Sequence, residues 1–290
     1  MIDTHIHLDA EPYDAPDRVI ARARSAGVRG VVVPGVSPDS NARVLALAAA
    51  YPGFVHPALG FHPESYDLNE SDLELALAQI HDNRDRICAV GEVGLPWYGE
   101  RAAAATPAAR DHLAAFARAA ASHDLAIILH APHGAAGPAL EIVRSAGVRR
   151  AVFHWHKSER RVTSAILDAG YMISLTPEAV YRDRDQDLAR AVPLSNLLVE
   201  TDGPAPHRGP FAGCLTEPWM IARTFEAIAL IAGDTPPAVR AATTANAIAT
   251  FRFHPSPQRT LQPPAAVLPP ICRALNLYPT PSITERRRGV

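Results

Sequence analysis

Two histidines separated by one residue, His5 and His7, sit within the stretch DTHIHLD. On an extended segment, side chains two apart leave the same face, so these two imidazoles can grip one ion. Further metal-ligand types recur singly, each at the end of an apolar run. His62 follows HPALGF, Glu92 lies in CAVGEVGL, His130 ends AIILH, His154 and His156 lie in AVFHWH, and Glu200 and Asp202 lie in NLLVETDG. Any one of these also reads as a hydrogen-bonded strand end. The coincidence of six such residues at the ends of five apolar runs is what points to a metal site. His5, His7 and Asp202 suit a first ion, His130 and His154 a second, and Glu92 can bridge the two with its pair of carboxylate oxygens. Imidazole and carboxylate donors together suit Zn²⁺, Mn²⁺ or Mg²⁺. Two such ions about 3.5–4 Å apart would clamp a hydroxide and polarise a phosphoryl or carbonyl oxygen. Asp202 would also accept the proton of the attacking water, which makes it the catalytic candidate.

These residues can meet only if the elements between them bring the run ends together. Apolar runs fall at 2–8, 30–36, 56–63, 88–95, 126–132, 151–156, 171–177 and 196–204. Amphipathic stretches alternate with them at 17–26, 38–50, 71–84, 107–123, 135–146, 158–169, 183–191 and 217–232. Asp39-Ser40 and Ser71-Asp72-Leu73-Glu74 read as capping signals. Gly27, Gly147 and Gly170 read as helix stops. Eight strand–helix repeats with near-continuous apolar strands predict a single (β/α)8 TIM barrel, whose strands all end on one face. An open doubly wound sheet would want a Gly-rich phosphate turn after the first strand, and there is none. The barrel domain is read as residues 1–254. Residues 255–290, with eight prolines between Pro255 and Pro281, read as a Pro-rich tail, extended or partly disordered, with one helical turn near 271–277.

Composition excludes more than it selects. The formal charge is −2 at pH 7 with pI near 6.7, and Lys157 is the only lysine, so no basic surplus advertises a polynucleotide groove. Cys88, Cys214 and Cys272 form no CxxC pair, which argues against a disulfide framework or a thiolate cage. No apolar run approaches the roughly 20 residues of a membrane span, and no signal peptide is recognisable. The expectation is a cytoplasmic protein with no membrane association and no obligate protein partner, as a monomer or a homo-oligomer.

In order and spacing, DTHIHLD, GFHPE (60–64), GEVGL (91–95), LH (129–130), FHWHKS (153–158) and ETDGP (200–204) resemble the TatD-related metal-dependent hydrolases. GEVGLPWY, ISLTPE and GPFAGCLTEP resemble a divergent bacterial branch of that family, and TTANAIATF (243–251) resembles its closing helix. The resemblance spans roughly residues 1–254. It implies a TIM barrel with two divalent metals, sometimes a third, and DNase or other phosphodiesterase activity. His5, His7, Glu92, His130, His154 and Asp202 fall on the family's metal positions, and His62 on a histidine that faces the substrate or an extra metal. Departures fall around the ligands: Pro96 replaces an aspartate, His130-Ala131-Pro132-His133 lacks an arginine, and Trp155-His156-Lys157 replaces small residues.

Around that core, Asp3 and Glu200 can orient ligand imidazoles or simply serve strand-end hydrogen bonds. Trp97, Tyr98 and Trp155 can stack on a flat substrate or pack the rim. Lys157 can meet a phosphate or carboxylate, stand in solvent, or carry a carbamate. His133, His156 and His207 are read as pocket wall. The reading is a metal-dependent hydrolase acting on phosphoesters, with nucleic acid or a small molecule as substrate. The alternatives are a hydrolase of small-molecule amides, lactones or esters, and an inactive metal-binding scaffold.

Overall fold

The computed structural model describes residues 1–13, 15–64, 70–98 and 106–253. The tail reading for 255–290 lies outside the described residues. The strands are β1 Ile2–Asp3, β2 Gly30–Pro34, β3 Val55–Leu59, β4 Ala89–Gly94, β5 Ala126–His130, β6 Ala151–Phe153, β7 Met172–Leu175 and β8 Leu197–Val199. All are parallel and lie side by side in chain order. The last meets the first through Thr4 N–H to Val199 O (3.1 Å), Asp202 N–H to His5 O (2.9 Å) and His7 N–H to Gly203 O (2.7 Å), which closes a (β/α)8 barrel. The run at 2–8 is laddered only at Ile2–Asp3 and bridged again at Ile6, so His5 and His7 stand on irregular chain at the seam and not within a regular strand.

Outside the barrel lie α1 Pro16–Ser25, α2 Pro38–Ala50, α3 Glu70–Asp82, α4 Pro107–Ser122, α5 Ala136–Ser145, α6 Arg160–Asp168, α7 Asp183–Ala191, α8 Ile221–Ala232 and α9 Pro236–Phe251. Several start on a hydroxyl cap followed by proline: Ser37 accepts from Ser40 N–H, Thr106 from Ala109 N–H and Thr235 from Ala238 N–H. The cap of α2 is therefore Ser37, not Asp39-Ser40, because Pro38 takes the first helical position and lacks an N–H to lose. The Ser40 hydroxyl instead takes Val36 N–H and donates to Asp9. Among the described residues no helix is long and apolar enough to cross a membrane.

Alternation along the strands sorts the apolar residues into two layers. Val31, Val33, Ile127 and Leu129 face the helices, while Val32, Ile128, Val152 and Leu198 fill the barrel. Two residues past Ile128, Val152 and Leu198, on the same inward face, come His130, His154 and Glu200. Strand period 2 thus carries the apolar filling of the barrel into a polar layer at its C-terminal mouth.

Phe251 and Phe253, at the end of α9, belong to the interior cluster. His56 stacks on Phe253, with ring centroids 3.7 Å apart and planes 8° apart. It is 7% exposed, its Nε2 has no hydrogen-bond partner among the described residues, and burial pushes its pKa down to about 4. The folded state thus binds fewer protons than the unfolded state between pH 4 and 6.5. The stability this group allows is complete above pH 6.5 and is lost as pH falls toward 4. His56→Leu should therefore lose less stability than the wild type between pH 7 and 5, by about 2 kcal/mol. Urea denaturation at the two pH values measures this, and equal slopes would refute the assignment.

Candidate metal centre

The ends of the strands bring the predicted ligands together. His5, His7, Glu92, His130, His154 and Asp202 converge at the C-terminal mouth of the barrel. Glu92 is 1% exposed and stands at the centre. Its orientation has a local cause. Between Val90 and Val93, β4 carries one residue more than β5 opposite it, a bulge that re-aims the side chain. Glycines let the backbones close around this point. A methyl group on Gly94 would meet His130 O at 1.9 Å, and one on Gly60 would meet Glu92 O at 2.5 Å.

The two oxygens of Glu92 face different partners. Oε2 lies 3.2 Å from His5 Nε2 and 3.3 Å from His7 Nε2. Oε1 lies 2.8 Å from His154 Nε2, 3.0 Å from His130 Nδ1 and 3.1 Å from His62 Nε2. Asp202 Oδ1 joins the first group, 3.5 and 3.6 Å from His5 and His7 Nε2. The nitrogens of His5 and His7 are 3.2 Å apart. Donors at zinc distances occupy tetrahedron corners roughly 3.3–3.4 Å from one another. The first group has that spacing without an ion. Glu92 Oε2 is buried and makes no hydrogen bond despite its two close nitrogens. The donor set and this orphaned atom fit a divalent cation.

The electrostatics are those of a site built for added positive charge. Burial opposes ionisation of Glu92, yet the surrounding histidines hold its pKa well below the usual carboxylate range. Burial likewise works against protonated His7, but Asp202 and Glu92 raise it to about 10. Asp202 is also buried, and His7 and His5 keep it below the ordinary aspartate value. Buried carboxylates favour positive charge beside them, here that of the imidazoles.

Outer partners choose which nitrogen faces inward. His7 Nδ1 lies 3.3 Å from Pro34 O, which can take its proton and leave Nε2 bare. His130 Nε2 lies 3.3 Å from Glu64 Oε1, which leaves Nδ1 for the centre. The same Glu64 oxygen accepts Trp97 N–H (2.5 Å) and Tyr98 N–H (2.9 Å), tying the chain after β4 to a ligand. Glu64 was missed in the sequence reading. The signal was available in GFHPE, where it follows His62 by two residues, but nothing in the spacing distinguished it from a surface glutamate.

The other predicted residues divide. Glu200 Oε1 is 3.5 Å from His154 Nδ1 and accepts Trp155 N–H at 2.6 Å. Asp3 does not reach an imidazole. Its oxygens take Thr201 Oγ1–H (2.6 Å), Thr201 N–H (3.0 Å) and His5 N–H (3.3 Å), so it ties the backbones at the seam. His62, Tyr98, Trp155 and Lys157 line a cavity of about 440 Å³ above the ligands. Trp97 does not line it: its ring lies against Gly134 and 5.6 Å from His133, where it packs on the core. His156 is buried against Thr163, and His207 against Thr201 O. Asp202 (φ 54°), Trp155 (φ 37°) and His133 (φ 51°) are non-glycine residues in the left-handed region. Such backbone costs about 1–3 kcal/mol each and gathers at functional sites.

Comparisons with known proteins place the chain and its fold. The profile of the family described as TatD related DNase matches residues 2–252. Deoxyribonuclease TATDN3 of Homo sapiens is 29% identical over 261 residues, covering 87% of this chain and 94% of that one. A Mycobacterium tuberculosis protein named uncharacterized metal-dependent hydrolase TatD is 32% identical over 262 residues, covering 85% and 96%. The crystal structure of YjjV, a TatD homologue from Escherichia coli K12, matches with a TM-score of 0.80 at 27% identity, covering 87% of this chain and 98% of that one.

Glu64→Gln should keep the fold, measured by circular dichroism, and weaken zinc binding about 10–100-fold, the usual cost of losing a ligand-orienting carboxylate. Calorimetric titration of the metal-free protein reads this directly. An unchanged affinity would mean that Glu64 does not set the His130 ring.

Proposed function

The chain belongs to the TatD-related DNase family, and we propose that it is a divalent-metal-dependent hydrolase that cleaves phosphoester bonds at a binuclear centre. One observation carries this reading: the two oxygens of a single buried carboxylate, Glu92, face two separate groups of nitrogen donors. His5, His7, Asp202 and Glu92 would hold one ion. Glu92, His130 and His154 would hold the other, with His62 beside it. The nitrogen-rich set favours Zn²⁺ or Mn²⁺ over Mg²⁺, which prefers oxygen ligands and water. Bound there, divalent ions would polarise the substrate oxygen and lower the pKa of water toward neutrality.

The chain's own residues supply the rest. Asp202 lines the cavity and turns Oδ1 toward His5 and His7. Its Oδ2 is the atom we assign to take the proton of the attacking water and to return it to the leaving group. It suits a base because its neighbours keep it ionised at neutral pH. Pro34 O, Glu64 and Glu200 hold three of the ligand rings, and the walls formed by Tyr98, Pro132, Trp155 and Pro204 enclose the scissile group.

Phosphodiester cleavage is supported by the deoxyribonuclease named above. A second reading has its own support: among the described residues the cavity lining includes one lysine and no arginine, which also suits a small amide, lactone or carboxylic ester. A cytoplasmic setting and the absence of an obligate protein partner belong to the same proposal.

Labelled single-stranded DNA and a panel of chromogenic phosphoesters, lactones and esters, assayed with added Zn²⁺ or Mn²⁺, test it. Turnover of phosphoesters should be abolished by EDTA. It should fall by about 10²–10⁴ in Asp202→Asn, the usual share of a general base, with metal content retained. Turnover of lactones or esters alone would favour the second reading. Metal binding without any turnover would leave an inactive scaffold.

A further inference from the structure

Lys157 is the one lysine of the chain, and it lines the cavity above the metal ligands. Its Nζ lies over the face of Trp155, 3.4 Å from the ring centroid. Among the described residues no carboxylate forms an ion pair with it. Glu178, an acidic group near it, is already engaged: it accepts Arg182 Nη1–H at 2.6 Å and Arg184 Nη2–H at 2.7 Å. Burial pushes the lysine pKa down, yet the aromatic face and the charge of Glu178 favour the ammonium. The result is a partly buried ammonium, with no ion pair among the described residues, facing substrate space.

Trp155 is itself fixed. Its N–H donates to Glu200 and Ser174, and its indole Nε1–H donates to Glu178 Oε2 at 3.1 Å. Its backbone is left-handed at φ 37°. The indole plane is therefore a rigid seat for the ammonium, and Glu178 and Glu200 act as positioning residues for it. A partly buried ammonium that makes no ion pair among the described residues favours occupation of the cavity by an anion. The metal ligands already account for the group that is attacked, so this anion is a different one.

We propose that Lys157, seated on Trp155, is a specificity-determining residue that binds a second anionic group of the substrate, a phosphate or carboxylate distinct from the group hydrolysed. The substrate class is then a small molecule or chain end with two anionic groups, or a strand whose neighbouring phosphate reaches Lys157. This rests on the hydrolase reading above.

The test uses p-nitrophenyl esters of thymidine 5′-phosphate bearing a 3′-hydroxyl, a 3′-phosphate, or a 3′-linked second nucleotide. The wild type should prefer at least one of the two anion-bearing forms by on the order of tenfold, mainly in KM, as a charge-assisted contact would give. Which form is preferred separates a terminal phosphate from a strand phosphate. In Lys157→Met the kcat/KM ratio between the anion-bearing and 3′-hydroxyl forms should fall toward one, and Lys157→Arg should retain most of the preference. An equal effect on all three substrates would overturn the proposal. A second readout needs no turnover: titration of inorganic phosphate into metal-free protein, followed by indole fluorescence. Binding should weaken by on the order of tenfold in Lys157→Met, although both proteins share the histidine cluster. Unchanged binding would also overturn it. Phosphate binding through Lys157 without hydrolysis of any ester would remove the phosphodiesterase reading and leave this one standing.

Discussion

The structure depends on one buried charge. Glu92 sits 1% exposed with five imidazole nitrogens within 3.3 Å of its two oxygens. A carboxylate at that depth is tolerable only with positive charge or hydrogen bonds around it. The convergence of eight strand ends supplies that surrounding. His5 and His7 arrive from the irregular chain after β1, His62 from the chain after β3, His130 from the end of β5 and His154 from the residue after β6. The bulge in β4 and the bare approaches at Gly60 and Gly94 let Glu92 occupy the centre without forcing the neighbouring strands apart.

Around this centre, order is imposed by contacts that are not themselves ligands. Glu64 links a ligand ring to the chain after β4, and Glu200 links another to the chain after β6. Three residues there hold left-handed backbone although none is glycine. Strain of this kind persists only where surrounding bonds over-determine the conformation. Trp155 meets that condition, with its two N–H donors engaged by three acceptors, Ser174, Glu178 and Glu200. Stability is thus given up at the mouth of the barrel and recovered in the apolar layers below.

Much of this was legible in the sequence, for a physical reason. Parallel strands buried on both faces read as apolar runs, so a polar residue at the end of a run stands out, and barrel closure gathers such residues on one face. His5, His7, Glu92, His130, His154 and Asp202 could be grouped on that ground, and the motif resemblance named the same six. What escaped depends on three-dimensional approach. Glu64 matters because the chain after β4 comes back to it, and no local pattern encodes that return. For Asp3 the sequence left open an imidazole partner or strand-end hydrogen bonding, and its oxygens take backbone and hydroxyl donors at the seam. Trp97 and Trp155 looked alike as aromatic residues near the motifs, yet one packs on Gly134 and the other lines the cavity. The cap of α2 lay two residues earlier than expected because Pro38 fixes where the helix begins.

The seam has a temporal consequence. The first donor group takes His5 and His7 from one side of the barrel closure and Asp202 from the other, and backbone bonds between Asp202 and His5 and between His7 and Gly203 hold them in place. During synthesis His5 and His7 precede Asp202 by nearly the whole barrel, so this group cannot assemble until the eighth strand has been made and has docked beside the first. Assembly of the first donor group therefore waits on closure of the barrel.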